Sequence, residues 1–212
     1  MFRFEETEDF DRHIKDSIPN YEFISNIARV YTEIYSRENT SVYDLGCTTG
    51  RFLSEIELTE KVRKIGVDII DHPSRRKGFE FQNKSIHEIE YDNPSVIISM
   101  FTLQFIDSIT RDKIITQISN NLIEGGLFIN CEKCYMNECI DQEIIGNAYY
   151  DFKLKSFNDN EIIKKSIELR SSMKIKRILE VENELLKIGH PRLIYRGYFF
   201  NIWVTEKNSI TE

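Results

Sequence analysis

The chain has 212 residues and a net charge of −7, with 41% hydrophobic and 30% charged residues. That is the make-up of a soluble globular protein able to bury its own core. No apolar run approaches the roughly 20 residues a membrane-spanning helix needs. The start, MFRFEETEDFDRH, lacks the apolar stretch of a signal peptide, so a cytoplasmic protein with no membrane partner is expected. An acidic balance also argues against a direct nucleic-acid partner, whose phosphates demand many Lys/Arg contacts.

In chain order, two helices are expected first, over 8–18 and 21–36, broken at Pro19. In the second, Phe23, Ile24, Ile27, Val30 and Ile34 recur at helical spacing and predict the buried face. SVYDL (41–45) reads as a strand, followed by a Gly/Thr turn and a helix near 50–57. KVRKIGVDII (61–70) and the weaker GFEFQ (78–82) are the next strands. PSVIISMF (94–101) is a continuous apolar run of the kind buried on both faces of a parallel sheet. A helix capped by Ser108 should run through 123, with Ile114, Ile115, Ile118 and Leu122 inward and Gly125-Gly126 ending it. LFIN (127–130) is the fifth strand, and helices near 137–153, 159–173 and 177–188 follow. PRLIYR and GYFFNIWVTEK close the chain as two strands turning at Gly197.

Strands alternating with helices predict an α/β fold, a Rossmann-like sheet with a terminal antiparallel hairpin and helical additions at both ends. We expect a single domain over 1–212, with an N-terminal helical lid (1–40) and a helical insertion (135–190) before the last two strands. Cys131 and Cys134 form a CxxC, but no second pair of cysteines or histidines accompanies it, so no metal is expected. Arg75-Arg76-Lys77 reads as a solvated surface run.

The strongest local signal is Asp44-Leu45-Gly46-Cys47-Thr48-Thr49-Gly50, set between a strand and a helix. Glycines there let the backbone approach a ligand, and the helix start offers free N–H groups. Asp68 ends the next strand, where an acid accepts hydrogen bonds from both ribose hydroxyls. The acid heading the loop suits the amino group of S-adenosylmethionine better than a dinucleotide. In the 159–173 helix, Ile163, Ile167 and Arg170 share one face, which places Arg170 either as a snorkelling side chain or as partner of a buried anion.

Beyond this loop the chain resembles the carboxy-S-adenosyl-L-methionine synthase family of the class I methyltransferase superfamily. The resemblance rests on Ile18-Pro19-Asn20-Tyr21, Val42-Tyr43-Asp44-Leu45-Gly46-Cys47, Phe101-Thr102-Leu103-Gln104-Phe105, Gly125-Gly126 with Glu132-Lys133, Asp151-Phe152-Lys153, and Arg170-Ser171. It implies conversion of S-adenosylmethionine and prephenate to carboxy-S-adenosylmethionine and phenylpyruvate. The proposed route is a sulfonium ylide that captures carbon dioxide lost from prephenate. The product then serves a partner enzyme that modifies the tRNA wobble uridine. A homodimer is also implied. Tyr21 matches a tyrosine that contacts the ligand from the lid, Gly46 the loop glycine and Asp68 the ribose-binding acid. Arg170 matches the arginine that pairs with the added carboxylate, and it is the expected catalytic residue. Asp44, Cys47, Gly50, Ile69, Ser85, Ile86 and Met100 complete the expected cofactor site.

Prephenate carries two carboxylates, which makes Arg170, Lys133 and Arg196 the candidate anion-binding groups. This chain departs from the family pattern in three places. Met100 stands where the family has asparagine, Ser85 where it has the aspartate at the adenine edge, and 69–78 is too short for the usual helix. Those departures keep two other readings open, an ordinary small-molecule methyltransferase and a non-catalytic S-adenosylmethionine-binding protein.

Overall fold

The computed structural model describes residues 9–208; the first eight residues of the expected lid lie outside them. Helices α1 (Phe10–Ser17) and α2 (Tyr21–Tyr35) precede β1 (Ser41–Leu45), and α3 (Arg51–Glu55) leads to β2 (Arg63–Asp68). β3 (Glu80–Asn83) and β4 (Pro94–Met100) follow, and α4 (Ser108–Asn121) returns to β5 (Leu127–Tyr135). Next come α5 (Cys139–Lys153), α6 (Asp159–Arg170), the two-residue β6 (Lys176–Arg177) and α7 (Ile178–Leu185). The hairpin of β7 (Pro191–Gly197) and β8 (Phe200–Glu206) ends the chain.

The sheet order is β3-β2-β1-β4-β5-β8-β7. The first five strands are parallel, and β8 runs antiparallel to both β5 and β7. The chain builds outward from β1 in one direction and then from β4 in the other. Such a reversal opens a crevice at the carboxyl ends of the two central strands, where open α/β sheets bind ligands. β1 is buried along its whole length, and β4 nearly so, because helices cover both faces.

Several expected details change. Asp107, not Ser108, caps α4: its Oδ1 accepts from the Ile109 and Thr110 N–H groups at 3.1 and 3.0 Å. A carboxylate at the cap also interacts favourably with the positive end of the helix dipole. Ile114, Ile115, Ile118 and Leu122 are buried as the spacing predicts. On α2 the buried face is Ile24, Ala28 and Thr32, while Phe23, Val30 and Ile34 are exposed. On α6 the buried residue is Ile162, and Ile163 and Ile167 lie on the exposed face. In both helices an adjacent pair of apolar residues left the choice of face open, and tertiary packing made it.

β5 runs five residues past the expected LFIN and carries the CxxC inside the sheet. Strand side chains alternate between faces, so Cys131 packs in one core layer and Cys134 in the other. The two thiols therefore share no site. The extension also places Glu132 in the second layer, fully buried. Arg111, itself fully buried, donates to both Glu132 oxygens at 2.7 and 2.6 Å and to Glu184 at 2.7 Å. Asn130 donates to Glu132 at 2.7 Å, and Lys176 also meets Glu184. This network joins α4, β5, β6 and α7.

Candidate active site

At the carboxyl ends of β1, β2 and β4 lies a cleft of about 470 Å³. Gly46 forms part of its wall in a left-handed conformation (φ +79°), and a Cβ there would stand 2.3 Å from Thr102 Oγ1. Only glycine satisfies both demands. Phe101, just beyond β4, also has a positive φ of 61°, a conformation costly for a bulky residue. It starts the turn that brings Thr102 against Gly46 and Gln104 against β5.

Asp68, at the end of β2, is nearly buried on the cleft wall. Its Oδ2 accepts from Thr48 N–H and its Oδ1 from Ile70 N–H, both at 2.9 Å. These bonds fix both loops that border the crevice. Burial raises its carboxyl above the ordinary range, against those N–H groups, which lower it. Asp44 is buried under the loop; burial first, then the charge of Asp68, push its carboxyl up to about 7. Ile69, Ser85, Ile86 and Met100 line the same cleft.

Four expected ligand residues are not on the wall. Tyr21 lies behind Phe101, with ring centroids 6.3 Å apart, and under the Arg51 guanidinium. Asp44 is enclosed within β1. Cys47 turns toward β2, where a Cβ on Gly66 would come within 2.8 Å of its Sγ. Gly50 is the N-cap of α3, and a Cβ there would fall 1.9 Å from the Phe79 ring. Its lack of a side chain serves helix-to-strand packing. Arg196 sits on the outer strand β7, exposed, with its guanidinium 3.0 Å from Met136 Sδ.

The other half of the cleft is cationic. Lys133 from β5, Lys153 from α5, and Lys165 and Arg170 from α6 all line it. Burial, and then the neighbouring Lys153, lower Lys133 to about 8. Burial also lowers Lys153, and burial with the charge of Lys153 takes Lys165 to about 7. Gln104, buried, accepts from the Lys133 backbone N–H at 2.9 Å and so fixes the strand position from which Lys133 projects. The sequence pattern does not single out Lys153 or Lys165 as cleft residues. Lys165 sits three positions after Ile162 and four before Leu169, on the inward face of α6, so the correct face would have revealed it.

Helix α1 covers the cleft with Phe10, Ile14, Ser17 and Ile18. Asp11 accepts from Thr49 Oγ1 and from Arg76, each at 2.7 Å. On the other side Lys165 meets His13 and reaches Ser17 Oγ at 3.1 Å, and Tyr149 donates to the Ser17 carbonyl at 2.8 Å. The Arg75-Arg76-Lys77 run is therefore more than a solvated surface. Arg76 clasps α1, and Arg75 lies 4.1 Å over the Phe81 ring. No helix forms between β2 and β3, and Ile69 and Ile70 supply apolar wall there instead.

A nucleoside sulfonium fits the first half of this cleft: the Gly46 turn on its wall, a carboxylate at the end of β2, and Ile69, Ile70 and Ile86 lining it with Ser85. The sheet order and the cleft position define the class I S-adenosylmethionine-dependent methyltransferase fold. Burkholderia thailandensis 1,6-didemethyltoxoflavin-N1-methyltransferase, solved with 1,6-didemethyltoxoflavin and S-adenosylhomocysteine, is similar in fold. The TM-score is 0.62 at 11% identity, covering 95% of this chain and 84% of that one. No protein-family model matches the chain. It is 30% identical over 199 residues to carboxy-S-adenosyl-L-methionine synthase of Staphylococcus epidermidis, covering 89% of this chain and 87% of that relative. To the synthase of Shewanella halifaxensis it is 28% identical over 209 residues, covering 92% and 83%. The chain belongs to the carboxy-S-adenosyl-L-methionine synthase family. It is an S-adenosylmethionine-dependent transferase. Among the described residues no helix is long and apolar enough to cross a membrane.

Proposed function

We propose that the protein transfers a carboxyl group from prephenate to the methyl carbon of S-adenosylmethionine, giving carboxy-S-adenosylmethionine and phenylpyruvate. The observation that carries this reading is the division of one cleft into a nucleoside-binding half and a half lined by Lys133, Lys153, Lys165 and Arg170. Among the described residues, Asp68 is the single acidic one lining it. Four basic side chains in a partly apolar cleft suit a small dianion better than a neutral methyl acceptor.

The reaction balances without a protein nucleophile. One methyl C–H bond breaks and a C–C bond to the transferred carboxyl forms. Prephenate loses that carboxyl and its ring hydroxyl, and the proton and hydroxide leave as water. The work of the chain is to bind, orient and exclude water. Asp68 holds the ribose, Gly46 admits the backbone approach, and Ile69, Ser85 and Ile86 enclose the adenine. Met100 flanks the reacting end. Arg170 pairs with the carboxylate on the product, as a planar guanidinium does best. Asp44, Cys47 and Gly50 shape the loop from behind, and Tyr21 supports Phe101. Residues 1–40 act as a lid and 135–190 as the insertion that carries the cationic wall, within one domain over 1–212.

The account extends to a cytoplasmic homodimer whose product supplies tRNA wobble-uridine modification. A second reading, methyl transfer to a small acceptor, is favoured by Met100, which adds an apolar, non-donating side chain to the wall. Incubation with S-adenosylmethionine and prephenate separates the two by mass spectrometry. A sulfonium product heavier by one carbon dioxide, with phenylpyruvate in equal amount, supports carboxyl transfer. S-adenosylhomocysteine formed with a methylated acceptor supports the second reading.

A further inference from the structure

Among the described residues, the wall built by β5 and α5 carries charge that no carboxylate compensates. Lys133 Nζ lies 4.9 Å from the centroid of the Tyr149 ring and 5.3 Å from that of Phe199. Lys153, in the last turn of α5, approaches the same Tyr149 ring at 4.4 Å. Among the described residues, no carboxylate forms an ion pair with either ammonium group. Two cations around one ring repel each other. Cation–π contacts recover only part of the cost of desolvating an ammonium group.

The platform between them is rigid. The Tyr149 hydroxyl is tied to the Ser17 carbonyl at 2.8 Å. Its ring meets Phe199 and Phe200 edge-on, at 5.8 and 5.6 Å between centroids. Gln104 fixes the backbone of Lys133 from the opposite side. Two ammonium groups held this way, on the lining of a cleft, form a pre-set anion site that a ligand carboxylate can complete.

We propose that Lys133 and Lys153, arranged about the Tyr149 ring, form a carboxylate-binding subsite that selects the co-substrate by its negative charge. The inference rests on the anionic co-substrate of the proposed function and assigns its recognition to these two side chains. The surrounding aromatic rings add a preference for carboxylates on an apolar body. The titratable groups around the pair include Tyr149 on their own platform, Lys165 and Arg170 from α6 and His13 from α1, with Glu168 acting on Lys165 and Asp16 on His13. His13 is itself lowered to about 4 by burial, and next by Lys165, so it stays neutral near pH 8. Because Lys133 is held near 8 without an anion, carboxylate binding restores its charge and takes up a proton above that pH.

The test is calorimetric titration of prephenate, phenylpyruvate and phenylpyruvate methyl ester into the full chain loaded with S-adenosylhomocysteine. Buffers of differing ionisation enthalpy at a pH above 8 reveal proton uptake. The wild-type protein should bind both carboxylates and not the ester, with proton uptake. Lys133→Met and Lys153→Met should each weaken carboxylate binding roughly 10- to 100-fold, the range for a lost hydrogen bond to a charged group, with S-adenosylhomocysteine binding unchanged. Lys133→Met should reduce the proton uptake, and Lys133→Arg should retain most of the affinity.

Unchanged carboxylate affinity in both Met variants, or no carboxylate binding to the wild-type protein, overturns the subsite. If the Met variants make carboxy-S-adenosylmethionine with wild-type KM for prephenate, the subsite fails and the proposed reaction stands. Lysine-dependent carboxylate binding without any carboxyl transfer sinks the proposed reaction and leaves the subsite standing.

Discussion

Arg111→Met isolates the buried ion network beneath the cleft. Arg111 is fully buried and holds both oxygens of an equally buried Glu132, with Glu184 as a third contact. Methionine fills similar space but supplies no charge, leaving Glu132 with Asn130 as its remaining side-chain donor. Removing one partner of such a pair costs about 3–5 kcal/mol, because the other charge stays desolvated. For a chain of this size each kcal/mol shifts Tm by about 2–4 °C, so a fall of about 6–20 °C is expected. Urea denaturation and thermal melts of wild type, Arg111→Met and Arg111→Met/Glu132→Leu measure it. The double variant should recover most of the loss, since an apolar pair in place of a buried ion pair is often neutral or better. A single variant within about 1 kcal/mol of wild type, or a double variant less stable than the single, would refute the reasoning.

Gly46→Ala forces a Cβ to 2.3 Å from Thr102 Oγ1 at a φ of +79°; it should cost roughly 1–3 kcal/mol and raise the KM for S-adenosylmethionine, read by melts and initial rates. Gly50→Ala meets the Phe79 ring and should lower Tm while leaving S-adenosylmethionine affinity close to wild type in material that folds. Arg170→Ala should remove the preference for the carboxylated sulfonium over the plain one in competition titrations and leave S-adenosylmethionine binding largely intact. The lysines give a pH signature. Lys133 and Lys165 are lowered from 10.5 to about 8 and about 7, so between those values and 10.5 the unfolded chain holds protons that the folded chain releases. Stability should therefore rise with pH from about 7 toward 10 in the free protein, and Lys133→Met should flatten the upper part of that rise in urea midpoints.

The sheet was legible because its strands are short β-branched runs punctuated by turns, and the loop at Gly46 lies between one of them and a helix. The lid and the cationic wall were harder to read. Ile163 and Ile167 share helical spacing with Arg170, yet the fold turns Ile162, Lys165 and Leu169 inward and leaves both isoleucines exposed, with Arg170, itself exposed, at the edge of the cleft lining. Spacing identifies a stripe but not which stripe meets the core when two compete. Lys153 lay within a segment matched to the family, but its chemistry emerges only when α5 brings it to the ring that Lys133 approaches from β5. Gly50 shows the reverse case: a glycine in a ligand-type loop whose requirement comes from Phe79, a residue distant in sequence.

The account turns on a sulfonium nucleoside bearing a carboxylate in the cleft between Asp68 and Arg170. Mass spectrometry of small molecules released from the freshly purified protein addresses that most directly. Carboxy-S-adenosylmethionine should be the dominant ligand in the wild-type protein and be depleted in Arg170→Ala. Release of plain S-adenosylmethionine or S-adenosylhomocysteine alone, unchanged by the substitution, would contradict it.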